Sequence, residues 1–272
     1  IGPSCGVVDN GNFVANGNVS VKMGSIGVGG QINLPNNSTP DCSAAQPTGV
    51  CPTPVAGMPY SGDPFANKYP IPSPPAAGTV TTSVTGGVTI KTYSPGSYSG
   101  ITINAGDNVI FSPGLYYITG SFHINAQAYV CGGGSATFAA PVPNPFCTET
   151  SGVTFFITNG ADVTINGGAH VEMYAPSSGT YGGLLFYQDP LDTQQLTING
   201  GSDSFFNGAV YAPTADVDFS GTASFNSGAK YTVVIADQFL VSGGAYVNLA
   251  SDFSGLTSGP LTGALKWAIL VE

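Results

Sequence analysis

The last two thirds of this chain repeats itself. Thr164-Ile165-Asn166-Gly167-Gly168-Ala169 returns as Thr197-Ile198-Asn199-Gly200-Gly201-Ser202. Looser copies stand at Thr102-Ile103-Asn104-Ala105-Gly106, His123-Ile124-Asn125-Ala126, Asp218-Phe219-Ser220-Gly221 and Leu240-Val241-Ser242-Gly243-Gly244. The Asn or Ser of each copy falls at 104, 125, 166, 199, 220 and 242, so the gaps are 21, 41, 33, 21 and 22. Short β-type runs and Gly-rich corners at a period of about 21 residues indicate a solenoid. The expected fold is therefore all-β: a right-handed parallel β-helix with coils of about 21 residues. An antiparallel sandwich is the second choice, since it also has Gly-punctuated strands but need not keep a period.

Within each coil the residue before the Asn should point inward. Ile103, Ile124, Ile165, Ile198, Phe219 and Val241 are then one apolar ladder. Asn104, Asn125, Asn166 and Asn199 fall at the corner that follows, where Asn and Gly tolerate left-handed backbone. Their amides are expected to stack as a hydrogen-bonded ladder. Two gaps are too long for one coil. The first holds the Gly/Pro segment between Cys131 and Cys147, and the second holds Ala175-Pro176-Ser177-Ser178-Gly179-Thr180. Both read as insertions. No stretch of ten residues shows a clean helical stripe.

The chain divides into three parts. Residues 1–34 are an N-terminal β segment or arm, with a turn signal at Asn16-Gly17. Residues 35–78 are a Pro-rich linker or surface excursion that cannot be central sheet. Residues 79–272 are the β-helix proper. It ends in the apolar run Ala264-Leu265-Lys266-Trp267-Ala268-Ile269-Leu270-Val271, which suits a cap or a contact. The arm, on its long tether, is able to reach a neighbouring molecule and add to its sheet.

Charge excludes several partners. Charged residues make up only 7% of the chain, against about 25% in ordinary globular proteins. There is no Arg; the five Lys (22, 68, 91, 230, 266) are scattered, and the net charge is −10. Nucleic acid needs clustered cations to release counterions, so it is excluded. No apolar run of about 18 residues is present, so no membrane span is expected in this chain. The start at Ile1-Gly2-Pro3, without Met, reads as a mature or trimmed chain. Cys131–Cys147 and Cys42–Cys51 each frame a short loop and are candidate disulfides, leaving Cys5 over, which points to an oxidising, extracellular setting. Asn18-Val19-Ser20 and Asn37-Ser38-Thr39 fit the N-glycosylation pattern.

Four phrases go beyond architecture: Val153-Thr154-Phe155-Phe156-Ile157-Thr158-Asn159-Gly160, the run from Ala175 to Asp189, Asn207-Gly208-Ala209-Val210-Tyr211-Ala212-Pro213, and Ala268-Ile269-Leu270-Val271-Glu272. In that order, and with Asp63-Pro64-Phe65-Ala66 before them, the chain over residues 55–272 resembles TadE/TadG-like secreted proteins. Those are associated with tight-adherence (Flp) pilus assembly in bacteria. The resemblance implies a bacterial cell-surface or extracellular protein, with itself or pilus components as partners and no catalytic residues to carry over. Such proteins generally begin with an apolar anchoring segment, which this sequence does not contain.

Chemical candidates are few. Asp216 and Asp218 share one face of a strand at i, i+2, a spacing that could serve an acid/base pair, but solvated residues flanking Val217 are the simpler reading. Asp189 and Asp192 lie in an Asp-Pro turn. His170 and Glu172 alternate on one face and read as surface. His123 replaces Thr in the repeat and reads as an outward ladder residue. Neither His has metal-ligand spacing, so no cofactor or metal is expected. Tyr116-Tyr117 and Phe186-Tyr187 are adjacent aromatic pairs, one of each facing outward, and are the candidate binding aromatics for glycans. The alternative for them is burial beneath the Pro-rich excursion or the Cys131–Cys147 loop. The expected function is therefore non-enzymatic: a structural, self-associating protein of a surface appendage, filament or matrix. An adhesin or glycan-binding module is the second reading, and a polysaccharide lyase or hydrolase the third.

Overall fold

The computed structural model describes residues 6–9, 12–15, 20–22, 25–33, 55–57, 63, 65–138, 142, 146–200, 204–221, 224–225, 230–243, 246–248 and 253–261. The fold is all-β, and its strands fall into ladders that the chain visits in rotation. The first ladder stacks Ile101–Ile103, Phe122–Ile124, Val163–Ile165, Leu196–Gly200, Val217–Gly221 and Phe239–Gly243, all parallel. The second stacks Val88–Tyr93, Asn108–Phe111, Tyr129–Gly132, His170–Tyr174 and the start of Phe205–Ala212. The third stacks Gly96–Tyr98, Gly114–Ile118, Val153–Ile157, Leu184–Gln188, the end of Phe205–Ala212 and Thr232–Ala236.

Phe205–Ala212 belongs to two ladders, so the second and third join into one curled sheet of 11 strands. The bend is at Gly208, where a Cβ would lie 2.6 Å from that of Ala175 and 2.8 Å from that of Leu185. Only glycine lets the two ladders close there. The sheet is mixed rather than purely parallel, because Val80–Thr85 folds back antiparallel on Val88–Tyr93. Gly86 and Gly87, with φ of 59° and 80°, form that turn. Asn-Gly or Gly-Gly turns with positive φ match the twist of a hairpin.

The register follows the repeat. Ile103, Ile124, Ile165, Ile198, Phe219 and Val241 are successive Cα partners along the first ladder. The first five have buried side chains. Inside, Phe155 packs at ring-centroid distances of 5.1 Å from Phe111, 5.2 Å from Tyr116, 5.0 Å from Phe122 and 5.4 Å from Phe186. Burying each such ring is worth about 2–3 kcal/mol. The amide ladder forms in part. Asn166 Nδ2 donates to Asn125 Oδ1 at 3.1 Å, and Ser220 Oγ donates to Asn199 Oδ1. Asn104 is exposed, and its backbone N–H goes to Asp107 Oδ2.

Both expected insertions are present. Gly134–Ala136 and Cys147–Glu149 make a small antiparallel pair, tied by the Cys131–Cys147 disulfide. Residues 175–183 form the other. Cys5, Cys42, Cys51, Asn18, Asn37 and residues 264–271 lie outside the described residues.

The N-terminal arm folds back on its own chain. Phe13–Ala15 pairs parallel with Phe239–Gly243, and Ser20–Lys22 with Tyr246–Asn248. It extends the far end of the first ladder, which terminates in Ile32–Asn33. At its first described residues the Pro-rich part lies beside it, where Val28 N–H donates to Val55 O at 2.8 Å. It then crosses the third ladder. Phe65 packs on Tyr211 and Tyr69 on Tyr187, Tyr187 Oη donates to Tyr69 O at 3.1 Å, and Ser97 N–H donates to Ala76 O at 2.9 Å. Residues 65–76 contain no strand, in keeping with their prolines.

Candidate functional site

The first ladder carries an outward row alternating with its inward one. Thr102, His123, Thr164, Thr197, Asp218 and Leu240 are in register along it. His123 is a ladder residue, as its place in the repeat indicates. Its Nε2 is hydrogen-bonded to Asp162 Oδ2, while Ser121 Oγ donates to Asp162 Oδ1 at 2.5 Å. The Ser121 hydroxyl first, and His123 second, hold the Asp162 carboxyl below its usual range. Ser, His and Asp thus meet, but in the wrong order for acyl transfer. A nucleophilic Ser needs the imidazole between it and the carboxylate. Here the carboxylate is in the middle.

Asp216 and Asp218 lie further along the same ladder, both half-buried. Burial raises the pKa of each, and the Asp237 carboxylate adds to the rise at Asp216. Ser242 Oγ donates to Asp218 Oδ1 at 3.4 Å. Of the described lysines, Lys91 is paired with Asp107 at 2.8 Å and Lys230 with Glu149 at 3.3 Å.

Asp189 and Asp192 line an open cleft of about 370 Å³, with Thr158, Asn159, Gly160, Leu191 and Thr193. Both carboxylates are engaged. Asp189 accepts from Thr158 Oγ1 at 2.9 Å and from Leu191 N–H at 3.0 Å. Asp192 accepts from Gly160 N–H at 2.8 Å and from Gln194 N–H at 3.0 Å. Gln188 lies beneath and donates to the carbonyls of Asp192 and Gln194 at 3.1 and 2.7 Å. The Asp-Pro segment is a braced turn, as its sequence indicates.

Glu172 departs from expectation. It reads as surface but is fully buried, and its carboxylate accepts from Phe146 N–H at 3.2 Å and Cys147 N–H at 2.8 Å. Its Cα partner on the next strand is Cys131. The disulfide-tied insertion folds over this face and uses Glu172 to satisfy its backbone. His170, on the same face, stacks on Tyr129 at 4.3 Å. Burial first, then the charges of Glu172 and Glu149, push the nearby Tyr174 hydroxyl up to about 12.

The candidate binding aromatics do not form an open platform. Tyr116 and Phe186 are fully buried in the interior, and Tyr116 Oη donates to the carbonyls of Tyr93 and Ser112, both at 2.8 Å. Tyr187 faces out of the coil but is only 1% exposed, because Tyr69 lies on it. Tyr117 is half-buried against Phe156 at 5.1 Å. The Pro-rich crossing accounts for Tyr187. At its start Asp63 Oδ2 accepts from Tyr211 Oη at 2.5 Å, and Asp63 Oδ1 accepts from Phe65 N–H at 2.8 Å.

No family model, curated protein or solved structure matches this chain. Among the described residues no group of three or more His, Cys, Asp or Glu is placed to hold a metal ion. No helix among them is long and apolar enough to cross a membrane.

Sequence reading did not find Asp162 or the burial of Glu172. Asp162 is 39 residues from His123, at the next strand of the ladder and across an insertion. Only the repeat register, Phe122 against Val163, brings them together.

Proposed function

We propose that this chain is a non-enzymatic structural protein of a bacterial surface appendage, filament or extracellular matrix, built as a right-handed parallel β-helix. One observation carries the reading. Asp63, Asp107, Asp162, Asp189, Asp192 and Glu172 each accept a hydrogen bond from another part of the chain. The scarce carboxylates act as staples between neighbouring coils and insertions. An enzyme of this shape would instead leave its acids free to reach a substrate proton, whereas Asp189 and Asp192, which line the open cleft, both accept hydrogen bonds from the chain. The rotation of the chain among parallel ladders supports the β-helix, and parallel crossovers are almost always right-handed. The Cys131–Cys147 disulfide is compatible with secretion. The resemblance to TadE/TadG-like proteins supplies the pilus association.

Two measurements test this together. Immunogold labelling of intact cells should place the protein on the surface or in external material. Purified protein should not turn over uronate or neutral polysaccharides, with or without Ca²⁺. Confinement to the cell interior, or an activity abolished by Asp216→Asn or Asp218→Asn, would overturn the reading.

A further inference from the structure

The strand Val80–Thr85 stands at the end of the 11-stranded sheet, with Val88–Tyr93 on one side. Among the described residues no strand pairs with its other edge. All six of its residues are exposed, Val80 by 48% and Val84 by 69%. Such edges are normally blunted by Lys, Pro, a bulge or a covering loop, because bare N–H and C=O groups recruit another strand. Among the described residues none of these devices is present. Val80-Thr81-Thr82-Ser83-Val84-Thr85 has no charge and no Pro, and its register with the neighbouring strand is unbroken. Its Val and Thr residues favour extended backbone.

We propose that this edge is a homodimer contact, in which two copies of Val80–Thr85 pair antiparallel about a twofold axis through Thr82. The sequence itself argues for a second copy as the occupant. Val80-Thr81-Thr82-Ser83-Val84 reads nearly the same in both directions. Turned end for end, it sets Val80 opposite Val84 of the second copy, Thr81 opposite Ser83, and Thr82 opposite itself. Directly opposed residues share a face. The exposed valines of both copies therefore form one apolar patch, and the Thr81 and Ser83 hydroxyls meet on the other face.

Charge agrees. The chain is strongly anionic, yet the hairpin 80–93 carries one charged residue, Lys91, which is paired with Asp107. The contact brings no carboxylate against another. An isologous pairing closes at two molecules and does not grow into a fibre. At the other end of the fold the first ladder is extended by the chain's own arm. The dimer deepens the structural reading and rests on it only for its setting.

A cysteine at the axis tests the register. Thr82→Cys should give a disulfide-linked dimer on mild oxidation, beyond any background from the native cysteines. Val80→Cys and Thr85→Cys should not, because Val80 would sit about four residues, or about 14 Å, from its own copy, outside disulfide reach. In sedimentation, the 27.4 kDa chain should show a reversible doubling of mass that strengthens with salt. Val80→Lys/Val84→Lys should weaken it by about tenfold or more while the unfolding midpoint is kept. Equal cross-linking at Thr82 and Thr85, a monomer at every concentration with no Thr82→Cys dimer, or assembly that survives the double Lys variant would each overturn the dimer. None of these results bears on where immunogold places the protein, so the two readings fail separately.

Discussion

Glu172→Ala tests whether a buried carboxylate holds the disulfide-tied insertion in place. The wild-type side chain is fully buried and accepts two backbone N–H groups, at 2.8 and 3.2 Å. Alanine leaves both donors without that acceptor inside the protein. Each orphaned group costs about 1–3 kcal/mol. The pair, with some relief from entering water, should cost about 3–5 kcal/mol. Glu172→Gln keeps one acceptor oxygen but turns an amide N–H₂ towards the second donor, so its cost should be about half. In a domain of this size about 1 kcal/mol moves Tm by about 2–4 °C, and the alanine variant should melt roughly 6–20 °C lower. Differential scanning calorimetry and urea unfolding followed by tyrosine fluorescence both read this. A double-mutant cycle with Cys131→Ser/Cys147→Ser isolates the coupling. With the insertion untied, Glu172→Ala should cost less, by about 1 kcal/mol or more. An alanine variant within about 0.5 kcal/mol of wild type would refute the reasoning. So would a glutamine variant that is less stable than alanine.

Other expectations follow from the same geometry. Phe155→Ala opens a hole among Phe111, Tyr116, Phe122 and Phe186 and should lose about 3–5 kcal/mol in urea unfolding. Acid should act on stability in two opposed phases. The Asp216 and Asp218 carboxyls are raised in the folded state, so they weaken it once pH exceeds their folded values, and acidification from neutrality should first bring a small gain. The Asp162 carboxyl is depressed, so its contribution is present above the unfolded value of about 3.9 and is lost as pH falls through its folded value. Tm against pH should lose the first phase in Asp216→Asn/Asp218→Asn and flatten at the acid end in Asp162→Asn; an unchanged profile in both would contradict these assignments. Tyr211→Phe removes the donor to Asp63 and should speed proteolysis of the Pro-rich crossing without changing the melting of the coils.

Much of the fold was legible because it repeats. Ile103, Ile124, Ile165, Ile198 and Phe219 could be placed on one ladder from spacing alone, and the long gaps marked the insertions. Along a parallel ladder each strand meets mainly the next, so register in sequence becomes register in space. What spacing could not show is what lies on top of the ladders. Glu172 and Tyr187 both alternate outward, and an outward residue ordinarily meets water. Here the hairpin Gly134–Ala136 with Cys147–Glu149 covers one, and Tyr69 covers the other. Burial was set by parts that obey no period. The same holds for the hairpin at Val80–Thr85, whose antiparallel direction makes the sheet mixed: its apolar alternation does not state which way it runs. Asp189 and Asp192 were legible with their turn, whereas Asp162 was not. Asp162 gained its partners only when Phe122 came to lie against Val163.

Phe13–Ala15 rests on Phe239–Gly243, so a strand made early is seated on one made far later in the sequence. A polypeptide emerging from a ribosome or a secretion pore would make those first strands long before their seat exists. That closure therefore waits for residues 239–243, and a product truncated before residue 239 would leave Phe13–Ala15 without this partner.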